Sequence, residues 1–175
     1  MGAPKALLEY QGRTFLTRLL DAFSSACDTV AVVTAPGSNL DEIGGPDIVV
    51  NPAPERGMIT SLQCGLAARN ADAYLFTPVD YPEVGSSTVA KIASAWRDAP
   101  HAAIVPQFAG RHGHPVCISA EVARAILALP SSASARDAIH RYAADTLYLA
   151  VDDPGILRDV DTPEDYAALG QRGRP

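Results

Sequence analysis

Residues 73–82 read AYLFTPVDYP, and this stretch decides the fold class. The run 73–77 is too continuously apolar for a strand with one face in water, so it predicts a central strand that is covered on both faces. The run leads to Asp80, which stands between Pro78 and Pro82. Ligands of an open α/β sheet bind beyond the carboxyl ends of its strands, so this end of the strand is a candidate ligand site.

The rest of the chain alternates between short β-branched runs and amphipathic stretches. Apolar spacing and start signals predict helices over residues 15–23, from Gly57, from Ser86 or Ser87 to Trp96, over 120–129 and 136–143, and from Pro163. Further strands are predicted at residues 29–34, 47–50, 102–106, 114–119 and 146–151, and 102–106 and 114–119 would form a hairpin. The alternation predicts an α/β fold with a mostly parallel sheet and helices on both faces.

Length and composition set further limits on function. The chain has 175 residues, of which 47% are hydrophobic, and predicts one domain over residues 1–170 with a flexible tail at 171–175. It shows no apolar run near the roughly 20 residues of a membrane span and no secretory signal, so a cytoplasmic protein is expected. A net charge of −6 argues against nucleic acid as a partner. The three cysteines are widely spaced and indicate neither a disulfide framework nor a zinc site.

Two further segments carry charges that suit a phosphorylated substrate. Residues 1–5 read MGAPK, where small residues permit close approach of a phosphate and Lys5 supplies a compact cation. Residues 158–165 read RDVDTPED, in which the last four predict a helix start. Asp159 and Asp161 would lie on one face of an extended segment, so either could reach a metal. Carboxylates of this kind suit Mg²⁺, which proteins bind through one or two carboxylates together with substrate phosphates.

Each of these charged residues also has a purely structural interpretation. Lys5 could be a solvated surface charge, and Asp80 could be a turn or N-cap residue. A fourth segment, residues 110–115 with the sequence GRHGHP, predicts a turn with one substrate-contacting histidine, and a structural turn is the alternative. Zinc is not favoured there, because the chain has only four histidines.

Five segments, in their order and separations, resemble the molybdenum cofactor cytidylyl- and guanylyltransferase-like family of nucleotidyltransferases. They are MGAPKALL at residues 1–8, ERGMITSL at 55–62, PVDYP at 78–82, GHPV at 113–116 and DVDTPED at 159–165. The resemblance spans nearly the whole chain. It implies a Rossmann-like three-layer sandwich of the nucleotide-diphospho-sugar transferase type, which binds a nucleoside triphosphate and Mg²⁺.

The resemblance also implies a reaction and a set of site residues. CMP or GMP would pass from CTP or GTP to molybdopterin or a similar phosphorylated acceptor, pyrophosphate would leave, and a molybdoenzyme would receive the product. Lys5 would neutralise the triphosphate, while Asp80 and Asp161 would hold the metal. The residues expected to bind substrate are Gly2, Pro4, Gly57, Ser61, Gly113, His114 and Pro115.

The chain departs from the family pattern at its beginning. Family members start with a strand and a Leu-Ala-Ala-Gly or Leu-Ala-Gly-Gly turn ahead of the segment that matches residues 1–8. Without that central strand we expect a groove and unpaired backbone groups. The favoured interpretation is a longer protein with an earlier start. The alternatives are a catalytically inactive module that binds or delivers a cofactor, and a sugar-phosphate nucleotidyltransferase. The base, the acceptor and the oligomeric state stay open.

Overall fold

Helices and strands alternate through the structure, a computed structural model that describes residues 4–38, 40 and 46–172. In these ranges the α-helices are α1 (Phe15–Ser24), α2 (Met58–Ala68), α3 (Ser86–Asp98), α4 (Ala120–Leu127), α5 (Ala135–His140) and α6 (Pro163–Arg172). The strands are β1 (Glu9–Tyr10), β2 (Arg13–Thr14), β3 (Ala31–Thr34), β4 (Asp47–Val50), β5 (Ala73–Phe76), β6 (Ala103–Phe108), β7 (Arg111–His112), β8 (Val116–Ser119) and β9 (Thr146–Ala150). None of the helices in the described ranges has the length and apolarity that crossing a bilayer requires.

The larger sheet has the strand order β5-β8-β6-β9, and β7 pairs with the end of β6. β6 and β9 run parallel, whereas β8 runs antiparallel to both β5 and β6. The predicted α/β class and the predicted hairpin are therefore confirmed, but the sheet is mixed rather than mostly parallel. β8 is reversed because the turn at Ala109 and Gly110, both with positive φ, sends the chain back along β6.

Helices cover both faces of this sheet, because alternate residues of β6 point to opposite layers. Ala103 and Val105 pack in a buried core that includes side chains from α2, α4 and α5. Ile104 lies between them in sequence and packs instead with Ile92 of α3 and with Cys117. The result is the three-layer arrangement that the sequence predicts.

A groove separates the larger sheet from a smaller one. β3 and β4 form a parallel pair of their own, with Ala31 opposite Asp47 and Thr34 opposite Val50. The groove has a volume of about 2520 Å³, and its walls include residues of β3, β5, α1 and α2. Among the described residues, β3 and β5 have no strand partner on this side. The existence of a further strand ahead of residue 1 stays a prediction.

Several element boundaries differ from the sequence predictions. α4 ends at Leu127 rather than at 129, because Pro130 disfavours helical backbone in the residue before it. α5 ends at His140, and the chain forms a 3₁₀ turn at Ala143–Asp145 before entering β9. α6 continues to Arg172, two residues into the predicted tail, and its last turns are anchored by the buried Leu169.

Two local features were not predicted at all. β1 and β2 form a hairpin whose two turn residues, Gln11 and Gly12, both have positive φ. The N-cap of α3 is Gly85 rather than a serine. The carboxylate that serves this helix start comes from Asp153, which accepts hydrogen bonds from the Gly85 N–H at 2.9 Å and the Thr88 hydroxyl at 2.6 Å.

Gly155 provides a test of how tightly the segment after β9 packs against the segment after β5. A Cβ atom at Gly155 would lie 2.3 Å from the carbonyl oxygen of Glu83, so Gly155→Ala should lower the free energy of unfolding by about 1–3 kcal/mol. The control is Gly170→Ala in α6, where a Cβ atom would meet nothing within 4 Å. That change should raise stability by about 0.5–1 kcal/mol. Urea unfolding followed by circular dichroism measures both, and equal stability of the two variants would contradict the packing described.

Candidate active site

Three of the predicted site residues meet at the carboxyl edge of the larger sheet. Asp80 follows β5, and Asp161 directly precedes the start of α6. The Lys5 ammonium lies between them and donates hydrogen bonds to Asp80 Oδ2 at 3.1 Å and to Asp161 Oδ1 at 2.5 Å. We call Asp80 and Asp161 the acidic pair.

Main-chain contacts hold the acidic pair in place. The Val160 N–H donates to the Asp80 carbonyl oxygen at 2.9 Å, which joins the two segments beside the carboxylates. Asp165 caps α6 by accepting from the Thr162 N–H at 2.8 Å, and it also accepts from the Asp161 N–H at 3.2 Å. The predicted helix start is thus present, and it orients Asp161 as well.

The charges of this site shift one another's ionisation. Burial alone would lower the pKa of Lys5, but its hydrogen bonds to Asp161 and Asp80 outweigh that effect and raise the pKa above its usual value. The hydrogen bond from Lys5 lowers the pKa of Asp161. Burial raises the pKa of the nearby Tyr81, and the negative charges of Asp159, Asp80 and Asp161 add to that rise. At neutral pH the site therefore holds a cation between two anions.

The acidic pair has the donor atoms that a hard divalent cation needs. Asp80 Oδ1 is buried and has no hydrogen-bond partner in the described part of the chain, so one carboxylate oxygen is available to a ligand. No group of three or more His, Cys, Asp or Glu side chains suited to a metal occurs among the described residues. A cation held here would take its remaining oxygens from substrate and water, as Mg²⁺ commonly does.

The predicted Gly57 and Ser61 lie at the start of α2, and a residue that sequence reasoning missed holds Ser61. Asn51 is almost completely buried and donates to Thr60 Oγ1 at 3.0 Å and to Ser61 Oγ at 2.9 Å. Gly57 has a φ of 103°, which favours glycine, and it is the N-cap of α2. The signal in the sequence was the polar Asn51, which directly follows a strand and precedes the prolines at which regular structure ends.

The predicted turn at residues 113–115 packs against the segment that contains Ile156. A Cβ atom at Gly113 would lie 2.1 Å from the Ile156 carbonyl oxygen, so only glycine fits there. The His114 ring lies 4.9 Å from the Tyr81 ring, centre to centre, and its Nδ1 is buried without a hydrogen-bond partner in the described ranges. Burial lowers the pKa of His114. Pro115 is buried behind it.

The groove between β3 and β5 connects most of the predicted substrate-binding residues. Those that line it are Pro4, Lys5, Gly57, Ser61, Gly113 and His114. Pro115 is not part of this wall. Gly2 lies outside the described residues. Asp159 and Asp161 are both exposed, and it is Asp161 that contacts Lys5. Which of the two could reach a metal stays a prediction.

Comparison with known proteins gives this geometry a context. Residues 1–146 match the sequence profile of the MobA-like NTP transferase domain. The chain is similar to the molybdenum cofactor cytidylyltransferase of Escherichia coli, with 25% identity over 177 residues that cover 98% of this chain and 90% of that protein. It is also similar to the probable molybdenum cofactor guanylyltransferase of Rhodopirellula baltica, with 30% identity over 61% of this chain and 54% of that protein.

Solved structures agree with this similarity. The crystal structure of Rv0371c from Mycobacterium tuberculosis H37Rv superimposes with a TM-score of 0.84 at 28% identity, covering 98% of this chain and 90% of that one. A complex of Rv0371c with manganese has a TM-score of 0.79 at 26% identity, covering 97% and 93%. Nucleotidyltransferases of lower identity share the fold. The predicted fold type and the predicted family resemblance are both confirmed.

The depressed pKa of His114 predicts a pH dependence of stability. Between that pKa and 6.5 the unfolded chain binds more protons than the folded one, so the free energy of unfolding should fall as the pH falls through this window. The slope from this one group is at most about 1.4 kcal/mol per pH unit. His114→Asn should flatten the fall in chemical unfolding between pH 7.5 and 5.0, whereas His140→Gln at an exposed site should leave it unchanged. Identical slopes in the wild type and His114→Asn would contradict the assignment.

Proposed function

Because the chain belongs to the MobA-like NTP transferase domain family, we propose that it transfers CMP or GMP from CTP or GTP to molybdopterin or a similar phosphorylated acceptor, with release of pyrophosphate. The observation that carries this proposal is the acidic pair joined by Lys5. Phosphoryl transfer depends chiefly on alignment and on neutralisation of charge, and this site offers a cation and two carboxylates at the edge of the sheet where ligands bind.

In this proposal Asp80 and Asp161 would hold Mg²⁺, and the unpartnered Oδ1 of Asp80 supports that role. When bound, the metal would supply positive charge against the triphosphate. Lys5 exchanges its contacts with the acidic pair for contacts with phosphate oxygens. A lysine amine is protonated at neutral pH, so Lys5 can neutralise phosphate charge. The manganese bound to Rv0371c supports a divalent cation in this family.

The acceptor and nucleotide are assigned to the groove residues. Gly57, Ser61 and the buried Asn51 that orients Ser61 would form a rigid wall for one substrate. Gly113 and His114 would line the acceptor side, and Pro115 would support them from outside the groove wall. Pro4 and Gly2 precede Lys5 and would approach the phosphates. The two relatives are named as nucleotidyltransferases of the molybdenum cofactor, which supports molybdopterin as the acceptor. One name specifies a cytidylyl and the other a guanylyl group, so CTP and GTP both stay candidates. A molybdoenzyme would then receive the product, in the cytoplasm.

Asp80→Asn tests the proposed metal site directly. With Mg²⁺, molybdopterin and either CTP or GTP, the wild type should release pyrophosphate, and Asp80→Asn should do so about a thousandfold more slowly. The matched control is Asp152→Asn, an exposed carboxylate at the end of β9, which should retain full activity.

Three outcomes would contradict the proposal. Equal rates in Asp80→Asn and the wild type would remove Asp80 from the mechanism. Calorimetric binding of nucleotide or acceptor without any pyrophosphate release would favour the binding or delivery module instead. Release of pyrophosphate with a sugar phosphate but not with molybdopterin would identify a sugar-phosphate nucleotidyltransferase.

A further inference from the structure

An ion pair outside the acidic pair joins the same two segments of chain. Glu83 lies three residues after Asp80, and Arg158 lies three residues before Asp161. Arg158 Nη1 donates to both carboxylate oxygens of Glu83, at 3.3 and 3.4 Å. The Val160–Asp80 backbone hydrogen bond lies between this pair and the acidic pair in sequence. The two segments are therefore tied by an ion pair, a backbone hydrogen bond and the Lys5 bridge.

The surroundings of Glu83 make this connection stiff. Its side chain is only 10% exposed, compared with 39% for Arg158, so the pair is partly removed from water. The Tyr10 hydroxyl also donates to Glu83, at 3.4 Å. One residue earlier, Arg18 donates to the Pro82 carbonyl oxygen at 2.9 Å, which holds the segment from the side of α1.

A second set of contacts joins the segment after β9 to the segment around Glu83. Gly155 packs so closely on the Glu83 backbone that a Cβ atom would lie 2.3 Å from its carbonyl oxygen. Asp153 accepts from the Gly85 N–H and from the Thr88 hydroxyl, which lie just beyond Glu83. A shift of either segment would therefore have to disturb several partly buried contacts. Arg158 reaches from the Asp161 segment to the Asp80 segment through its ion pair with Glu83.

We propose that Glu83 and Arg158 are a positioning pair, which sets the separation of the Asp80 and Asp161 carboxylates and thereby the affinity of the site for a divalent cation. The inference rests on the proposed function for the identity of the ligand. Glu83 is engaged by Arg158 and Tyr10, so it acts through the backbone rather than as a metal ligand.

The sign of the effect separates positioning from simple electrostatics. Arg158 is a cation near an expected cation site, so its removal on Coulombic grounds alone should strengthen metal binding. If Arg158 positions the acidic pair, its removal should weaken metal binding instead. Residues that orient metal ligands typically change metal affinity by about tenfold to a hundredfold when they are replaced.

The experiment measures Mn²⁺ binding to the full chain by electron paramagnetic resonance, without nucleotide. Arg158→Ala should weaken Mn²⁺ binding at least about tenfold, and Arg158→Lys should recover part of it. Arg69→Ala is the matched control, since it removes the same charge from an exposed ion pair with Asp47 at the start of β4, away from the acidic pair. It should leave Mn²⁺ affinity unchanged. If Arg158→Ala does not fold, the milder Arg158→Gln takes its place.

Hydrogen exchange of the Val160 amide supplies a readout that needs no metal. Its protection in Arg158→Ala should fall about tenfold more than that of the Ile104 amide in β6, whereas a merely structural role would lower both in proportion to global stability. Unchanged or tighter Mn²⁺ binding with unchanged Val160 protection would overturn the inference. Absence of Mn²⁺ binding by the wild type would overturn the proposed metal role, and the Val160 result would then decide the positioning role alone.

Discussion

The site depends on a conflict between like charges. Folding brings the carboxylates of Asp80 and Asp161 to one edge of the sheet, and two such anions repel each other unless a cation lies between them. Lys5 supplies that cation in this structure, at hydrogen-bonding distance from both. An arrangement that needs a positive charge at this point is well suited to exchanging one cation for another when a substrate arrives. The same electrostatic requirement therefore accounts for the contacts of Lys5 with both carboxylates and for the proposed chemistry of the site.

The fold meets this requirement by stiffening the segments rather than the side chains. Asp161 itself is exposed, with 61% of its side chain accessible, and nothing in its own packing would fix it. Its position comes from the Asp165 cap and from the Val160 hydrogen bond to Asp80. Asn51 does the same for the start of α2 through buried hydrogen bonds. In both cases a contact with a neighbouring segment, and not the packing of the polar side chain itself, sets its position.

The sequence predicted the parts of this structure that depend on local pattern. Asp80 follows an apolar strand, and the Thr-Pro-Glu-Asp signal at residues 162–165 marks the start of α6, so both segments of the site were identified from local rules. The predicted hairpin already implied that β8 runs antiparallel to β6. The antiparallel pairing of β8 with β5 was not predicted, because it depends on which strand β8 joins and not on its own residues. The β1–β2 hairpin was not predicted, because its strands are only two residues long.

The contacts that join distant parts of the chain were the least predictable. Neither Glu83 nor Arg158 has a neighbour in sequence that indicates its partner, and the Asp153 cap on α3 replaces a serine that local rules favoured. Such choices are made by tertiary packing, which composition and periodicity do not encode. The position of Lys5 was assigned through resemblance to a family, since a lysine near the start of a chain carries little information by itself.

The groove between β3 and β5 has a practical consequence for anyone who handles the protein. Its walls carry apolar side chains such as Leu75 and Trp96 and are open to solvent. Fluorescent dyes that brighten on apolar surfaces would find a binding place on the native fold, before any unfolding occurs. A melting curve read from such a dye would begin bright and show a flattened transition, so the backbone signal in the far ultraviolet is the sounder record of when this molecule unfolds.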